Sequence, residues 1–302
     1  MKYFISKMEF GLITLTLIFL QFGCLHGQEE SVFGSAMGPP TTWCYQDSKC
    51  GETTWSRLCL TGKAQSPIDL PEIEKSSCQI KNFPRPSYES SLFSLETNGR
   101  TVGIKLLDYE PIFQWKEQKA SYGLHSIHLH WGANDSVGSE HTIHSKHFAF
   151  EMHLIHYRND FNSIGEALSS GEKNALAIIA LLFEVDPALE KNKDLEPLIR
   201  YLPGAYYPTS VVTVHVKFDI GKFMNGNEVY TYHGSLTSPS CDEQVMYMVW
   251  KQPSKISSSD LKVFRKVTNF FGKPLVNNYR SIQKLNDRKV ELCEIKYNKQ
   301  AT

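Results

Sequence analysis

The sequence predicts a single, mostly β domain. At 302 residues the chain has room for one large domain or two small ones. Hydrophobic residues make up 41% of it and aromatic residues 12%, which is enough for a large core. Short runs of β-branched and aromatic residues, separated by turn residues, recur along the chain and favour one β-dominated domain. The nearly continuous apolar run Leu176–Val185 is typical of a strand that is buried on both faces.

Charge makes nucleic acids and anionic membrane surfaces poor candidates for partners. Lys plus Arg and Asp plus Glu both number 32, so the chain has no overall field that would recruit a polyanion. We therefore expect no nucleic-acid partner.

The N-terminus has the pattern of a secretory signal peptide. Lys2 and Lys7 precede an apolar run from Gly11 to Leu20 that is too short to span a bilayer. We expect cleavage near Gly27, hence a signal at 1–27 and a loose polar lead-in at 28–42; a buried first helix is the alternative. The polar end at 298–302 indicates no membrane span and no lipid anchor.

The cysteines and one sequon agree with export. Cys24 lies in the signal, and the remaining six cysteines allow fifteen pairings, among which spacing does not choose. A structural zinc site with four cysteine ligands is disfavoured because the sequence has no Cys-x-x-Cys pair. Asn134, in Asn-Asp-Ser, is a candidate glycosylation site on an exposed loop.

Two histidine-containing stretches are the strongest chemical signal. His128 and His130 alternate with apolar residues, so a strand would place both on one face. Glu151 and His153 share a face in a second alternating run. If the two strands are neighbours, three imidazoles converge, and three histidines with an open fourth position are the ligands of a catalytic zinc site. Glu151 could then accept the remaining N–H of a ligand imidazole.

Other interpretations compete with this one. A lone His-x-His pair is more often an ordinary hydrogen-bonded pair than a metal site. His141, His144 and His147 are spaced as a possible second metal site, but a solvated loop with His141 buried beneath Glu140 is the better account.

Five motifs in order identify a family. These are Gln65–Asp69 (Gln-Ser-Pro-Ile-Asp), Ile127–Gly132 (Ile-His-Leu-His-Trp-Gly), Gly138–Thr142 (Gly-Ser-Glu-His-Thr), Glu151–His156 and Gly234–Pro239 (Gly-Ser-Leu-Thr-Ser-Pro). Together they resemble the α-class carbonic anhydrases, extracellular type, over 43–297. The resemblance implies a single domain around a large, twisted, mainly antiparallel sheet with short peripheral helices.

The resemblance also implies the roles of the site residues. His128, His130 and His153 match the ligands of one Zn²⁺ per chain, with Glu151 behind one of them and Asn278 as an outer neighbour. Thr237 matches the hydroxyl that accepts from zinc-bound hydroxide and donates to Glu140. An ionised glutamate only accepts, so the threonine must be the donor. The pocket that holds carbon dioxide would be formed by Ile155, Ile178, Leu236, Ser238, Val245 and Tyr247.

The resemblance bears on the disulfides as well. Cys59 and Cys241 match a pair found in secreted members. Cys44 with Cys50 resembles a short N-terminal loop closure of some membrane-associated members. The third bridge would join Cys78 to Cys293.

The sequence departs from the family at two polar positions. Fast members have a proton-shuttling histidine after an Asn-Gly turn; here Asn98 and Gly99 are followed by Arg100, which stays protonated near neutrality. We expect moderate turnover that rises with buffer concentration, unless Tyr45 with ordered water, or His125, compensates. Ser126 replaces a longer glutamine, and we expect it to reach its partners through water.

The implied function is reversible hydration of carbon dioxide to bicarbonate and a proton by a secreted zinc lyase through zinc-bound hydroxide. Sulfonamides and small anions are the expected inhibitors. The alternative from a different class is a catalytically silent binding or matrix protein, and ester hydrolysis would be secondary.

Overall fold

The computed structural model describes residues 43–45, 47–83, 88–108, 110–115 and 119–297. The predicted signal at 1–27, the lead-in at 28–42 and the tail at 298–302 lie outside the described residues. Within that part of the chain, every helix is too short or too polar to cross a bilayer.

A large mixed sheet of twelve strands forms the molecule's centre. In chain order the strands of the protein are β1 (Asp69–Leu70), β2 (Cys78–Phe83), β3 (Glu89–Ser90), β4 (Phe93–Thr97), β5 (Val102–Leu106), β6 (Ile112–Trp115), β7 (Ala120–Trp131), β8 (Thr142–Ile143), β9 (Phe150–Arg158), β10 (Leu176–Val185), β11 (Val211–Val214), β12 (Phe218–Asp219), β13 (Glu228–Gly234), β14 (Val245–Trp250), β15 (Ser254–Ile256) and β16 (Glu291–Tyr297).

The order across the sheet is β11-β4-β5-β7-β9-β10-β14-β13-β16-β2, with β6 paired to β7 and β15 paired to β10. The pairs β10–β14, β10–β15 and β16–β2 are parallel. The other pairs in this sheet are antiparallel. The predicted mostly β fold around a mainly antiparallel sheet is confirmed.

The helices are short and lie at the periphery, as the resemblance implied. They are α1 (Arg57–Thr61), α2 (Ile164–Ser169), α3 (Glu196–Tyr201) and α4 (Ser258–Phe264). The start of α4 is fixed by a capping box, in which the Ser257 hydroxyl accepts the Asp260 N–H and the Asp260 carboxylate accepts the Ser257 N–H.

Both faces of the sheet centre are buried, which explains the continuous apolar run of β10. Ala177, Ile179 and Leu181 pack in one core cluster, whereas Ile178 and Leu182 pack in the other. Side chains alternate faces along a strand, so a strand between two apolar layers must be apolar at every position. The second cluster is the one that adjoins the histidines.

Three disulfides close the fold: Cys44–Cys50, Cys59–Cys241 and Cys78–Cys293. These are the bridges that the resemblance implied. The last one joins β2 to β16 within the parallel pair, and Cys59–Cys241 anchors the segment that follows Thr237.

Candidate metal centre

The pairing of β7 with β9 brings the histidines to one face. His128 lies opposite His153, and His130 lies opposite Glu151. Directly opposed residues of an antiparallel pair have their side chains on the same side of the sheet. The two strands therefore present all three histidines and Glu151 to one side of the sheet, next to the second core cluster.

Glu151 organises the interior of this site. Its carboxylate is fully buried and accepts four hydrogen bonds. Oε1 accepts from His141 Nδ1 and His153 Nε2, both at 2.6 Å, and Oε2 accepts the backbone N–H groups of Glu140 and His141, both at 2.8 Å. Burial opposes ionisation, but the two neighbouring imidazoles lower the pKa of Glu151 well below its usual range. Glu151 is therefore an ionised acceptor.

This carboxylate sets the tautomer of His153. The Nε2–H of His153 donates to Glu151, so the lone pair of the neutral ring resides on Nδ1. Burial works in the other direction, but the charge of Glu151 and its hydrogen bond raise the pKa of His153 above its usual value. The Nδ1 atom faces Glu140, whose Oε2 is 3.7 Å away.

His130 is oriented in the complementary way. Its Nδ1–H donates to the carbonyl of Asn278 at 2.8 Å. The Asn278 side chain is itself fixed, since Oδ1 accepts the N–H of Trp131 and Nδ2 donates to the carbonyls of Leu129 and Arg100. Burial lowers the pKa of His130, so the ring is neutral. Its Nε2 atom is buried and has no hydrogen-bond partner among the described residues.

Glu140 supplies an oxygen at the same point. Its Oε1 accepts the backbone N–H of Arg280 at 2.9 Å, and its Oε2 is buried without a partner in the described structure. Ligand atoms of His130, Glu140 and His153 all lie within 4.8 Å of one another. Two imidazole nitrogens beside a carboxylate are a donor set that fits a divalent metal ion, which binds the deprotonated form of each ring nitrogen.

His128 is not part of this close group. It is half-buried, and its Nε2 lies 3.4 Å from the hydroxyl of Ser126. Burial, and then the neighbouring histidines, hold the pKa of His128 well below its usual range. The expectation that Ser126 reaches its partners through water is wrong for His128, because two alternate residues of one strand are close enough for a direct contact.

Thr237 is buried but does not make the implied hydrogen bond to Glu140. Glu140 Oε2 has no partner in the described residues, and the bond to Oε1 comes from Arg280. The segment around Thr237 is held by the bond from Leu236 N–H to the Asp242 carbonyl, and by the bond from Cys241 N–H to the carbonyl of half-buried Ser238. The threonine–glutamate relay thus remains a prediction.

An apolar cluster borders the histidines. It contains Ile155, Ile178, Val245 and Tyr247, with Leu236 packed against it. The Tyr247 ring stacks on Tyr232 with centroids 5.0 Å apart, and its hydroxyl donates to the Ser235 carbonyl. Burial raises the pKa of Tyr247 well above its usual value, so this tyrosine is a neutral, fixed part of the cluster.

Arg100 is held rigidly by aromatic rings. Its Nε donates to the Trp43 carbonyl at 2.9 Å, and its guanidinium carbon lies 4.6 Å from the Trp43 ring and 5.6 Å from the Phe270 ring. Asn98 Oδ1 accepts the backbone N–H of Arg100 in the preceding turn. Tyr45 packs edge-on against Trp43. Burial lowers the pKa of Arg100, but the side chain is anchored rather than able to swing toward the metal group.

The rival histidine motif does not form a site. His141 is buried and bonded to Glu151 and Tyr232, whereas His144 and His147 are exposed. Tyr232, which matches a structural position of the family, belongs to this buried network. It connects His141 to the hydroxyl of Ser66, a contact between distant segments that no spacing indicates.

The predicted glycosylation site has a suitable position. Asn134 is exposed, and its Oδ1 accepts the N–H and hydroxyl of Ser136 in a turn.

Comparison with known proteins agrees with this geometry. The sequence profile of the eukaryotic-type carbonic anhydrase family matches residues 50–294. Carbonic anhydrase 6 of Bos taurus is 31% identical over 286 residues, covering 92% of this chain and 84% of that protein. Carbonic anhydrase 6 of Canis lupus familiaris is 32% identical over 260 residues, covering 82% and 79%. Carbonic anhydrase 4 of Mus musculus is 31% identical over 265 residues, covering 82% and 83%. With the fold and the histidine site, these matches show that the chain belongs to the eukaryotic-type carbonic anhydrase family and is an enzyme of the carbonate dehydratase class.

Proposed function

We propose that the chain binds one Zn²⁺ through His128, His130 and His153 and catalyses the reversible hydration of carbon dioxide to bicarbonate and a proton. One observation carries the proposal: His130 Nε2 is a buried lone pair without a hydrogen-bond partner in the described residues, beside the Nδ1 lone pair of His153. Burying such an atom unpaired is costly, and a bound metal ion removes the cost.

The chemistry that zinc supplies when bound is a lowering of the pKa of its water from 15.7 to about 7. The protein's own residues hold the ligands. Glu151 and Asn278 fix the tautomers of His153 and His130, so that each presents a lone pair to the same point. In this proposal His128 completes the set, since it lies on the same strand face as His130 and directly opposite His153.

The remaining residues orient the reacting groups. A hydrogen bond from the Thr237 hydroxyl to Glu140 Oε2 would satisfy that oxygen and leave the threonine lone pairs to accept a proton from the attacking group. Carbon dioxide is apolar and linear, so it is held against Ile155, Ile178, Leu236, Val245 and Tyr247, which exclude water from that side. Ser238 borders the same pocket.

Transfer of the released proton to solvent is the step that we expect to limit turnover. Arg100 stands at the shuttle position, stays protonated near neutrality and is fixed against Trp43. We therefore propose moderate turnover that rises with added buffer. Tyr45, which packs against Trp43, and Asn98, which accepts the Arg100 N–H, would help to order water beside Arg100.

The three disulfides support secretion into an oxidising compartment, with a glycan at Asn134. Carbon dioxide and bicarbonate are the proposed ligands, with sulfonamides and small anions as inhibitors. A silent binding protein is disfavoured because all three histidines, Glu140 and Thr237 are present.

The test is carbon dioxide hydration by stopped flow on mature protein with its zinc content measured. His130→Gln should lose zinc and activity. The matched control is His147→Gln, which changes an exposed histidine in the same way and should keep both. Zinc-loaded wild-type protein without hydration activity would overturn the proposal and favour the alternative, a catalytically silent binding protein.

A further inference from the structure

The face of the sheet that carries His128 also carries charged side chains on the next two strands of the sheet, β5 and then β4. Gly103 of β5 lies opposite His128, and Glu96 of β4 lies opposite Gly103. Lys105, two residues after Gly103, shares this face because side chains alternate along a strand. The other face of these strands is core: Leu95 and Ile104 are fully buried.

A bulge in β7 adds an imidazole to this face. The pairing of β7 with β9 shifts between Leu124, which lies opposite His156, and Ser126, which lies opposite Ile155. His125 is thus an extra residue between two paired positions. It follows a core residue and precedes a residue of the cavity face, so the bulge leaves both His125 and Ser126 on the cavity face. The ring of His125 lies 6.3 Å from that of Tyr157.

We call the row formed by Glu96, Lys105 and His125 on this face the wall. Two of its atoms are buried and lack partners in the described structure: Oε1 of Glu96 and Nδ1 of His125. Buried polar atoms of this kind are usually satisfied by ordered water. Both residues are half-buried, so the wall also reaches solvent. Gly103, which lies between Glu96 and His128 across the sheet, has no side chain that would separate them.

The charges on the wall act on one another and on the metal group. Burial raises the pKa of Glu96, although Lys105 opposes the shift. Burial and then Lys105 lower the pKa of His125 to about 4, so this ring is neutral near pH 7. Lys105 and His125 also contribute, after burial and the neighbouring histidines, to the lowered pKa of His128. Of the strands packed against β4, β5 contributes Lys105, and β11 contributes no titratable side chain.

We propose that Glu96 accepts the proton released at the metal centre, through water held by neutral His125, in place of a shuttle at position 100. This inference rests on the proposed function. Glu96 lies two strand spacings from His128, about 10 Å, which a short chain of waters can span. The proton released by the reaction would convert the Glu96 carboxylate to a carboxylic acid, and a base in solvent would then remove that proton and restore the carboxylate. His125 holds this water by hydrogen bonding and keeps its own proton, so the ring is unchanged after each transfer.

The first test is the hydration kinetics of Glu96→Gln in weakly buffered solution near pH 7. Loss of the acceptor should lower kcat about tenfold while kcat/KM stays near wild type, and added imidazole should restore kcat. Glu196→Gln, on exposed α3, is the matched control and should leave both constants unchanged. His125→Gln should lower kcat in the same direction as Glu96→Gln.

The second readout does not depend on activity: titration of the Glu96 carboxyl carbon by ¹³C NMR, assigned from the spectrum of Glu96→Gln. The proposal expects a pKa above that of exposed glutamates, and a changed value in His125→Gln. An unchanged kcat in Glu96→Gln, an equal fall in kcat and kcat/KM, or an ordinary Glu96 titration would overturn it. A wild type without measurable kcat/KM would instead refute the proposed function.

Discussion

Replacing Glu151 by glutamine should weaken metal binding while leaving most of the fold intact. The carboxylate accepts four hydrogen bonds, two per oxygen. If the amide nitrogen took the place of Oε2, its hydrogens would face the backbone N–H groups of Glu140 and His141, which cannot reverse. The amide must therefore place its nitrogen at Oε1, where both partners are imidazoles that can change tautomer.

That orientation keeps every contact but changes what His153 can do. The amide donates to His141 Nδ1 and to His153 Nε2. His141 then donates from Nε2 to the Tyr232 hydroxyl, which already lies 2.7 Å away. His153, however, must carry its proton on Nδ1, the atom that would bind the metal. Four charge-assisted bonds become neutral ones, a loss of about 1–3 kcal/mol in the free energy of unfolding, whereas metal affinity should fall about 10- to 100-fold or more.

The assay is zinc affinity by competition with a chromophoric chelator, alongside urea unfolding. Glu184→Gln is the control, since it neutralises a carboxylate that is hydrogen-bonded to Lys146 and Lys255 at the surface. The control should bind zinc like wild type. Wild-type affinity in Glu151→Gln would refute the tautomer reasoning.

Three further predictions follow from the same contacts. Glu140→Gln should keep zinc and lose turnover if the ligands are three histidines; loss of zinc on metal analysis would instead make Glu140 a ligand. His156 is buried with a pKa of about 3, and its Nε2 is hydrogen-bonded to Tyr88, so the unfolded chain binds a proton there between pH 6.5 and about 3 that the folded chain does not. The contribution of neutral His156 to the free energy of unfolding should be fully present above pH 6.5 and fall by about 1.4 kcal/mol per pH unit below it. Urea unfolding of His156→Gln should show a shallower fall with decreasing pH than wild type, and parallel curves would contradict this. Arg100→Gln should lower the free energy of unfolding by about 1–2 kcal/mol and speed amide hydrogen exchange around Trp43, because it removes the cation–π contacts and a hydrogen bond. Unchanged exchange would show that Arg100 does not hold this region in place.

Much of the fold and part of the site could be predicted from residue patterns. The alternation around His128 and His130 predicts a strand with both rings on one face, and β7 is that strand. The nearly continuous apolar run Leu176–Val185, in which Glu184 is the one charged residue, predicts a strand buried on both faces, and β10 has those bounds. These features are local, because each depends only on the pattern of apolar residues along one strand.

Contacts between distant segments could not be predicted in this way. The orientation of His130 depends on a carbonyl at Asn278, far away in the chain. The anchoring of Arg100 depends on Trp43 and Phe270, which approach only after folding. The bulge at His125 breaks the alternation rule itself, so a regular strand pattern assigns no special role to that residue.

X-ray absorption at the zinc edge tests the central claim most directly. The claim is that this chain binds one zinc ion through His128, His130 and His153. The account predicts three imidazole nitrogens at about 2.0–2.1 Å with one further oxygen ligand, and a change in the imidazole signal in His128→Gln. A spectrum of two imidazoles and a carboxylate, unaffected by His128→Gln, would contradict it.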